Sequence, residues 1–307
     1  MPPRVGIDLG GTKIAGVVLG SGGAVLAERR IPAPRGDYAT TVRTLADLAG
    51  DLAQAAGADA LPGIGIGMPG SISPRTGLVQ NANSVWLNGR PFAQDLEAAM
   101  GCPVRLANDA NCFALSEAVD GAGAGARSVF GVILGTGCGG GLVFEGRLID
   151  GPRGIGGEWG HNPLPWAGPD EHPGNRCWCG RLGCMETWLS GTGLEADHQR
   201  ATGLALTAVE IAARAGGGDA AAQASLDRHA GRLARGLAHV VNIFDPHVIV
   251  LGGGLSNLPH LYRVVPDLMR PYVFSDAGAV AVLPPRWGDA SGVRGAAWLW
   301  GGPCMTA

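Results

Sequence analysis

Val5-Gly-Ile-Asp-Leu-Gly-Gly-Thr12 and Phe130-Gly-Val-Ile-Leu-Gly-Thr-Gly137 carry one pattern twice. Each is a short apolar β-type run that ends in a Gly/Thr turn. A second apolar run follows each turn, at residues 14–19 in the first case and 141–144 in the second. One such loop is a weak signal. Two of them, about 125 residues apart, predict an α/β fold built by duplication, with its two turns facing each other across a cleft. Glycines at the turns let backbone N–H groups approach a phosphate, and Thr12 adds a hydroxyl. Asp8 ends the first strand, where a carboxylate can hold magnesium through water. The plainer reading of the first turn is a hairpin with an acidic end.

Between the two turns, apolar periodicity predicts a helix over 37–56, a buried strand over 63–67 and a long loop over 71–90. The loop contains Asn81-Ala-Asn-Ser-Val-Trp-Leu-Asn-Gly89. Amides and an aromatic suit a polyhydroxylated ligand, because amides both donate and accept; Asn and Gly are equally the residues of turns. A helix over 91–100 and a strand over 104–107 lead into Asn108-Asp-Ala-Asn111, where another helix begins. An aspartate at this junction is either a helix N-cap or a general base at a strand end.

The second turn is followed by Gly157-Glu-Trp-Gly-His161 and, further on, Cys177-Trp-Cys-Gly-Arg-Leu-Gly-Cys-Met-Glu186. His161, Cys177, Cys179 and Cys184 form a Cys3His set, a closed tetrahedral environment for structural zinc. Glu158 and Glu186 bracket it, so a metal clamp draws both carboxylates toward one place. The alternative is three buried thiols and an unrelated histidine. The proline-rich part, 163–173, reads as an exposed loop. From Thr187 onward the chain is mostly helical, interrupted by a strand over 247–251 with Gly252-Gly-Gly254 behind it. That cluster is either a base or ribose site or only a tight turn. A strand over 280–283 and a small-residue helix over 292–300 follow.

Composition narrows the class. With 307 residues, two domains are the better expectation. A net charge of -3 gives no polyanion bias, so nucleic acid is not expected as a partner. No run is long and apolar enough for a membrane helix, and the N-terminus lacks a signal-peptide core. Seven cysteines, an odd number including the scattered Cys102, Cys112, Cys138 and Cys304, suit a reducing cytoplasm. Glycine, at 53 residues, is well above the average share, which suggests many tight turns where backbone meets ligand.

Taken together, Asp8-Leu-Gly-Gly-Thr-Lys13, Leu106-Ala-Asn-Asp-Ala-Asn111, Leu134-Gly-Thr-Gly-Cys-Gly-Gly-Gly141, the GEWGH and cysteine motifs and Leu251-Gly-Gly-Gly254 resemble the ROK sugar kinases of the actin-like ATPase superfamily. The resemblance covers essentially the whole chain. It implies a two-lobe, duplicated ribonuclease H-like fold with an interlobe cleft and a structural zinc site. The lobes would be residues 1–117 with 291–307, and 118–290. It implies Asp109 as catalytic base and Asp8, with Lys13 beside it, orienting the metal of MgATP. Gly10, Gly11, Thr12, Gly135, Thr136 and Gly137 would hold phosphates, and Gly252 and Gly253 would line the adenosine site. Gly70, Asn83, Asn108, Glu158, His161 and Glu186 would hold the sugar, with His161 giving its other nitrogen to Zn2+. A homodimer is a further implication.

Within the family, 81–89 and His161-Asn-Pro-Leu-Pro-Trp166 look most like bacterial fructokinases of the mannokinase type. The expectation is therefore phosphorylation of fructose at the 6-hydroxyl, with glucokinase, mannokinase and N-acetylglucosamine kinase as alternatives. From other classes, a sugar-responsive repressor would need an added DNA-binding domain ahead of a strand that already starts at Arg4. A non-catalytic sensor would not need Asp109 and both phosphate turns.

Overall fold

A computed structural model describes residues 3–57 and 63–301. Cys304 lies outside them. The strands are β1 (Arg4–Leu9), β2 (Lys13–Leu19), β3 (Val25–Pro32), β4 (Ile64–Met68), β5 (Ser71–Ile72), β6 (Val79–Gln80), β7 (Val104–Asn108), β8 (Ser128–Leu134), β9 (Cys138–Phe144), β10 (Arg147–Leu148), β11 (Val248–Gly252) and β12 (Ala281–Leu283). The helices are α1 (Tyr38–Ala55), α2 (Phe92–Met100), α3 (Asp109–Val119), α4 (Glu186–Leu189), α5 (Gly191–Thr202), α6 (Ala208–Gly216), α7 (Ala220–Phe244), α8 (Pro259–Met269) and α9 (Ser291–Trp298).

The duplication is visible in strand order. One sheet runs β3-β2-β1-β4-β7 and the other β10-β9-β8-β11-β12. Each holds a glycine-turn hairpin, β1–β2 or β8–β9, followed on its far side by two strands. Two compact units emerge: residues 3–127, 141–157 and 286–301 form the first, and 128–140 and 158–285 the second. The first is thus completed by the last helix of the described chain.

In the first unit, β4 shows how sequence dictates the layering. Alternate residues of a strand face opposite sides of the sheet. Ile64 and Ile66 are fully buried and join Val5 and Ile7 of β1 against Leu45, Leu48 and Leu52 of α1. On the other face, Gly65 meets the backbone of Ala296 in α9 so closely that a Cβ would have no room. Gly6 of β1 does the same against Val293 and Ala297, and Gly295 against Cys112 of α3. Bare backbone on one side lets α9 lie directly on the sheet. The glycine excess expected for ligand turns is therefore partly a packing device.

Parallel registers carry the ends of these strands to one edge. Asp8 pairs with Gly67, and Met68 with Asn108. In the second unit Gly252 pairs with Ile133, so the ends of β8 and β11 also coincide.

The stretch 163–173 is not a free loop. Leu164 is buried. Glu171 accepts from Arg232 and Arg235 of α7 at 2.7 Å each, and Asp197 of α5 pairs with Arg228 and Arg232 at 2.9 Å. Burial works against the Glu171 charge, but the bonds from Arg235 and Arg232 outweigh it and hold the carboxyl at about 2. Most of the stretch is exposed, as its prolines suggested, but Glu171, one of its two acidic residues, ties it to two arginines about 60 positions away in sequence.

Candidate active site

The first unit contributes the acidic end of its sheet. Asp8 closes β1. Burial first, then the charge of Asp109, pushes its carboxyl up to about 6 against the pull of Lys13. Asp109 is the first residue of α3. The capping duty that could have explained it falls to Asn108, whose Oδ1 accepts from the Ala110 N–H at 2.9 Å. Asp109 Oδ1 also accepts from that N–H at 2.8 Å, which leaves Oδ2 available. Solvent reaches the Asp109 side chain, yet protein crowds it, and this desolvation raises its carboxyl above the usual range. Beneath the pair lies the buried Cys112 thiol, pushed well up by burial and then by Asp8 and Asp109. Gly292, in the first turn of α9, passes so close to Asp8 that a Cβ there would lie 3.1 Å from Oδ2.

The first glycine turn is tight. The Gly10 N–H donates to Lys13 O at 3.1 Å, and Arg35 Nε donates to Gly11 O at 3.2 Å. Gly11, Thr12 and Lys13 are exposed. The Lys13 ammonium reaches Asp289 at 3.6 Å on the surface. Arg35 went unnoticed in the sequence because nothing local links it to the turn.

Gly70 takes φ 77, and its carbonyl accepts from Asn108 Nδ2 at 3.2 Å, so both amide atoms of Asn108 have structural partners. The amide-rich loop is largely turn chemistry. Asn81 adopts φ 58, and Asn88 spans the loop with bonds to Ala82 N and O at 2.9 and 2.8 Å. Trp86 packs against the core. Asn83 alone among these amides stays exposed without such a role.

The second unit contributes a metal-ready cluster and the other glycine turn. The donor atoms of His161, Cys177, Cys179 and Cys184 all lie within 4.8 Å of one another. Cys177 Sγ is 3.6 Å from His161 Nδ1, and Cys179 Sγ is 3.6 Å from Cys184 Sγ. A tetrahedron with zinc–sulfur bonds of about 2.3 Å has edges of roughly 3.8 Å, so three thiols and one imidazole at these separations fit zinc. Nδ1 faces the thiols, leaving Nε2 for a ligand. Without a cation the cluster is electrostatically awkward: burial and the neighbouring thiols push Cys184 up to about 12.

Glu158 precedes the short turn that carries His161 and is exposed. Trp159 fixes that turn: its Nε1 donates to Gly139 O at 3.1 Å and its ring meets Phe130 edge-on at 5.4 Å. Glu186 opens α4. Its Oε2 accepts from the Cys138 N–H at 3.1 Å and its Oε1 from Trp178 Nε1 at 2.7 Å. A side chain at Gly137 would place its Cβ 2.8 Å from that Oε2.

Beside the second turn is a cavity of about 530 Å³ walled by Gly135, Thr136, Gly191, Thr192, Glu195, Gly254, Leu255 and neighbours. Gly252 and Gly253 are not among its walls. Gly253 turns behind the wall at φ 78, packed on Leu134 backbone, and the next two residues form the surface instead. The sequence reading also missed that the start of α5 holds the second turn. The Gly191 N–H donates to Gly135 O at 2.7 Å and Thr192 Oγ1 to Thr136 O at 3.0 Å. Its signal was Ser190-Gly-Thr-Gly193, hidden in a segment read only as helical.

A model of the ROK family matches residues 4–302. The chain belongs to the ROK family. It is 41% identical over 298 residues to the N-acetyl-D-glucosamine kinase of Photobacterium profundum, covering 96% of this chain and 98% of that one. Against the N-acetyl-D-glucosamine kinase of Pasteurella multocida the figures are 38% over 304 residues, 96% and 98%. Among solved structures, the ROK hexokinase from Thermus thermophilus matches with a TM-score of 0.85 at 35% identity, over 96% of this chain and 97% of that one. A ROK family glucokinase from Streptomyces griseus, in complex with glucose and AMPPNP, matches at 0.75 and 29%, over 97% and 99%. The α/β kinase fold implied by the motif resemblance is therefore the fold found. The fructokinase subgroup is not supported: these high-identity relatives are N-acetylglucosamine kinases. The loop that suggested fructose spends two of its amides on its own turn, which leaves it a poor guide to the sugar. No helix among the described residues is long and apolar enough to cross a membrane.

Proposed function

We propose that this protein transfers the γ-phosphoryl group of ATP to the 6-hydroxyl of a hexose, with N-acetylglucosamine the first substrate to test and fructose retained as a second. The observation that carries the reading is Asp109, a carboxylate at the start of α3 whose Oδ1 shares the Ala110 N–H with the cap Asn108 and whose charge acts on Asp8 at the same sheet edge. Phosphoryl transfer asks little of a protein beyond positioning and charge neutralisation. Asp109 accepts the proton of the attacking hydroxyl through Oδ2, and its raised affinity for protons suits a base that must take one. Asp8 orients magnesium, which when bound neutralises phosphate charge. Gly10, Gly11, Thr12 and Lys13 serve the phosphates in the first unit, as Gly135, Thr136 and Gly137 do in the second. The nucleoside takes the cavity walled by Thr136, Thr192, Glu195 and Leu255. Glu158, His161 Nε2, Glu186, Asn108, Asn83 and Gly70 serve the sugar, and zinc fixes the His161 ring. The lobe bounds of 1–117 with 291–307 and 118–290, cytoplasmic residence and a homodimer belong to the same reading.

The test is a coupled ADP-release assay with MgATP across N-acetylglucosamine, glucose, mannose and fructose, on protein with measured zinc. The highest kcat/KM for N-acetylglucosamine supports the leading substrate, and the highest for fructose restores the second. No turnover with any hexose sinks the kinase assignment.

A further inference from the structure

Glu186 does more than face a sugar. Its two carboxylate oxygens are held by different parts of the second unit: Oε2 by the Cys138 N–H just after the glycine turn, and Oε1 by the indole N–H of Trp178 at 2.7 Å, with the Cys177 Sγ farther off at 3.8 Å. Trp178 lies between two thiolate ligands of the metal-ready cluster, on the turn closed by Cys177 N–H to Arg181 O at 2.8 Å. Its ring also meets His161 edge-on, with centroids 5.1 Å apart. It therefore touches both side chains to which sugar hydroxyls are assigned. The residue is 68% exposed, so burial of its ring cannot be the reason a large aromatic sits there.

We infer that Trp178 is a positioning residue for sugar recognition, holding Glu186 in the rotamer that points its remaining lone pairs at the substrate. The inference rests on the kinase reading above. A bond to a charged acceptor is the stronger kind of hydrogen bond. Losing it frees the carboxylate to swing, and the sugar must then pay to order it on binding. Because the bond to Cys138 remains, the glycine turn keeps its shape, so the loss falls on sugar and not on nucleotide.

The experiment compares the wild-type protein with Trp178→Phe, which keeps the ring against His161 and removes only the N–H. Sugar KM, ATP KM and kcat are measured for the preferred hexose, sugar affinity by calorimetry, and zinc by elemental analysis. The expected result is a sugar KM and sugar Kd raised about tenfold, the lower end of the scale of one charge-assisted bond, with ATP KM and zinc content unchanged. In a Glu186→Gln background the same substitution should add less than twofold to sugar Kd. An unchanged sugar Kd in Trp178→Phe overturns the proposal, as does a weaker sugar Kd that appears only with loss of zinc. The surface position makes folding of the variant the expected outcome, and thermal melting checks it. A wild-type protein that binds hexose but does not phosphorylate it sinks the kinase reading while leaving the Trp178 test intact.

Discussion

The two glycine turns began as one design and diverged. The first, after β1, stands among charges: Asp8 at its root, Asp109 beside it, Arg35 on its carbonyl and Lys13 beyond. The second, after β8, is held mainly by neutral groups, with Gly191 and Thr192 on its carbonyls and one carboxylate, Glu186, on its outgoing N–H. The same hairpin thus serves two electrostatic tasks. One crowds like charges at a cost in stability, as the proposed handling of a divalent cation and a proton would require. The other exposes backbone beside a roomy cavity, where shape and hydrogen bonds suffice. Duplication supplied the frame, and the residues flanking each turn supplied the chemistry.

The sharpest way to break this contrast is Asp109→Asn. Loss of a general base should lower kcat about 10²- to 10⁴-fold, with sugar Kd by calorimetry little changed. Retained turnover with lost sugar binding would reverse the assignment. Next is the cluster in the second unit. Cys179→Ser, or prolonged chelation, should remove zinc, lower the melting temperature and raise sugar KM at least tenfold, with ATP KM much less affected. Equal damage to both constants would mean that the metal supports the whole unit and not the sugar side.

Asp8 offers a third test, in which function and stability pull apart. Its carboxyl is raised from 3.8 to about 6, so folding costs the ionised form. That penalty is fully present above pH 6 and disappears as pH falls toward 3.8. Two units correspond to at most about 3 kcal/mol. Asp8→Asn should therefore melt higher than wild type at pH 7, lose that advantage near pH 4, and turn over poorly at any magnesium concentration. A lower melting temperature at pH 7 would show that Asp8 is satisfied and not crowded. In the wild type, kcat/KM should fall as pH drops below about 6. The smallest effect is expected at the neutral turn, where Thr192→Val should raise ATP KM about fivefold, the value of one ordinary hydrogen bond, and leave sugar KM alone.

How much of this was legible follows from range. Patterns carried by neighbouring residues were readable: the Gly/Thr turns, the alternating Ile and Gly of β4, and three cysteines within eight residues. So was the strand-to-helix junction, although which of Asn108 and Asp109 caps α3 required φ/ψ and a bond length. Contacts between distant residues were not readable. Arg35 meets Gly11 across 24 positions, and Arg232 meets Glu171 across 61. Trp178 was only a residue between two ligands until its N–H was seen on Glu186. The sugar itself was the least legible, because Asn serves turns and ligands with the same atoms.

The packing of α9 has a consequence in time. Gly6 and Gly65 leave a helix-shaped bed on the first sheet, and the helix that fills it follows the other described elements in chain order. A nascent chain emerging from the ribosome has β1, β4 and α1 early, but one face of that sheet stays bare until residues 291–298 arrive. Asp8 waits as well, since Gly292 closes over it only then. Among the described elements, the helix that packs over Asp8 thus comes last in chain order, and without it that carboxylate would be left uncovered.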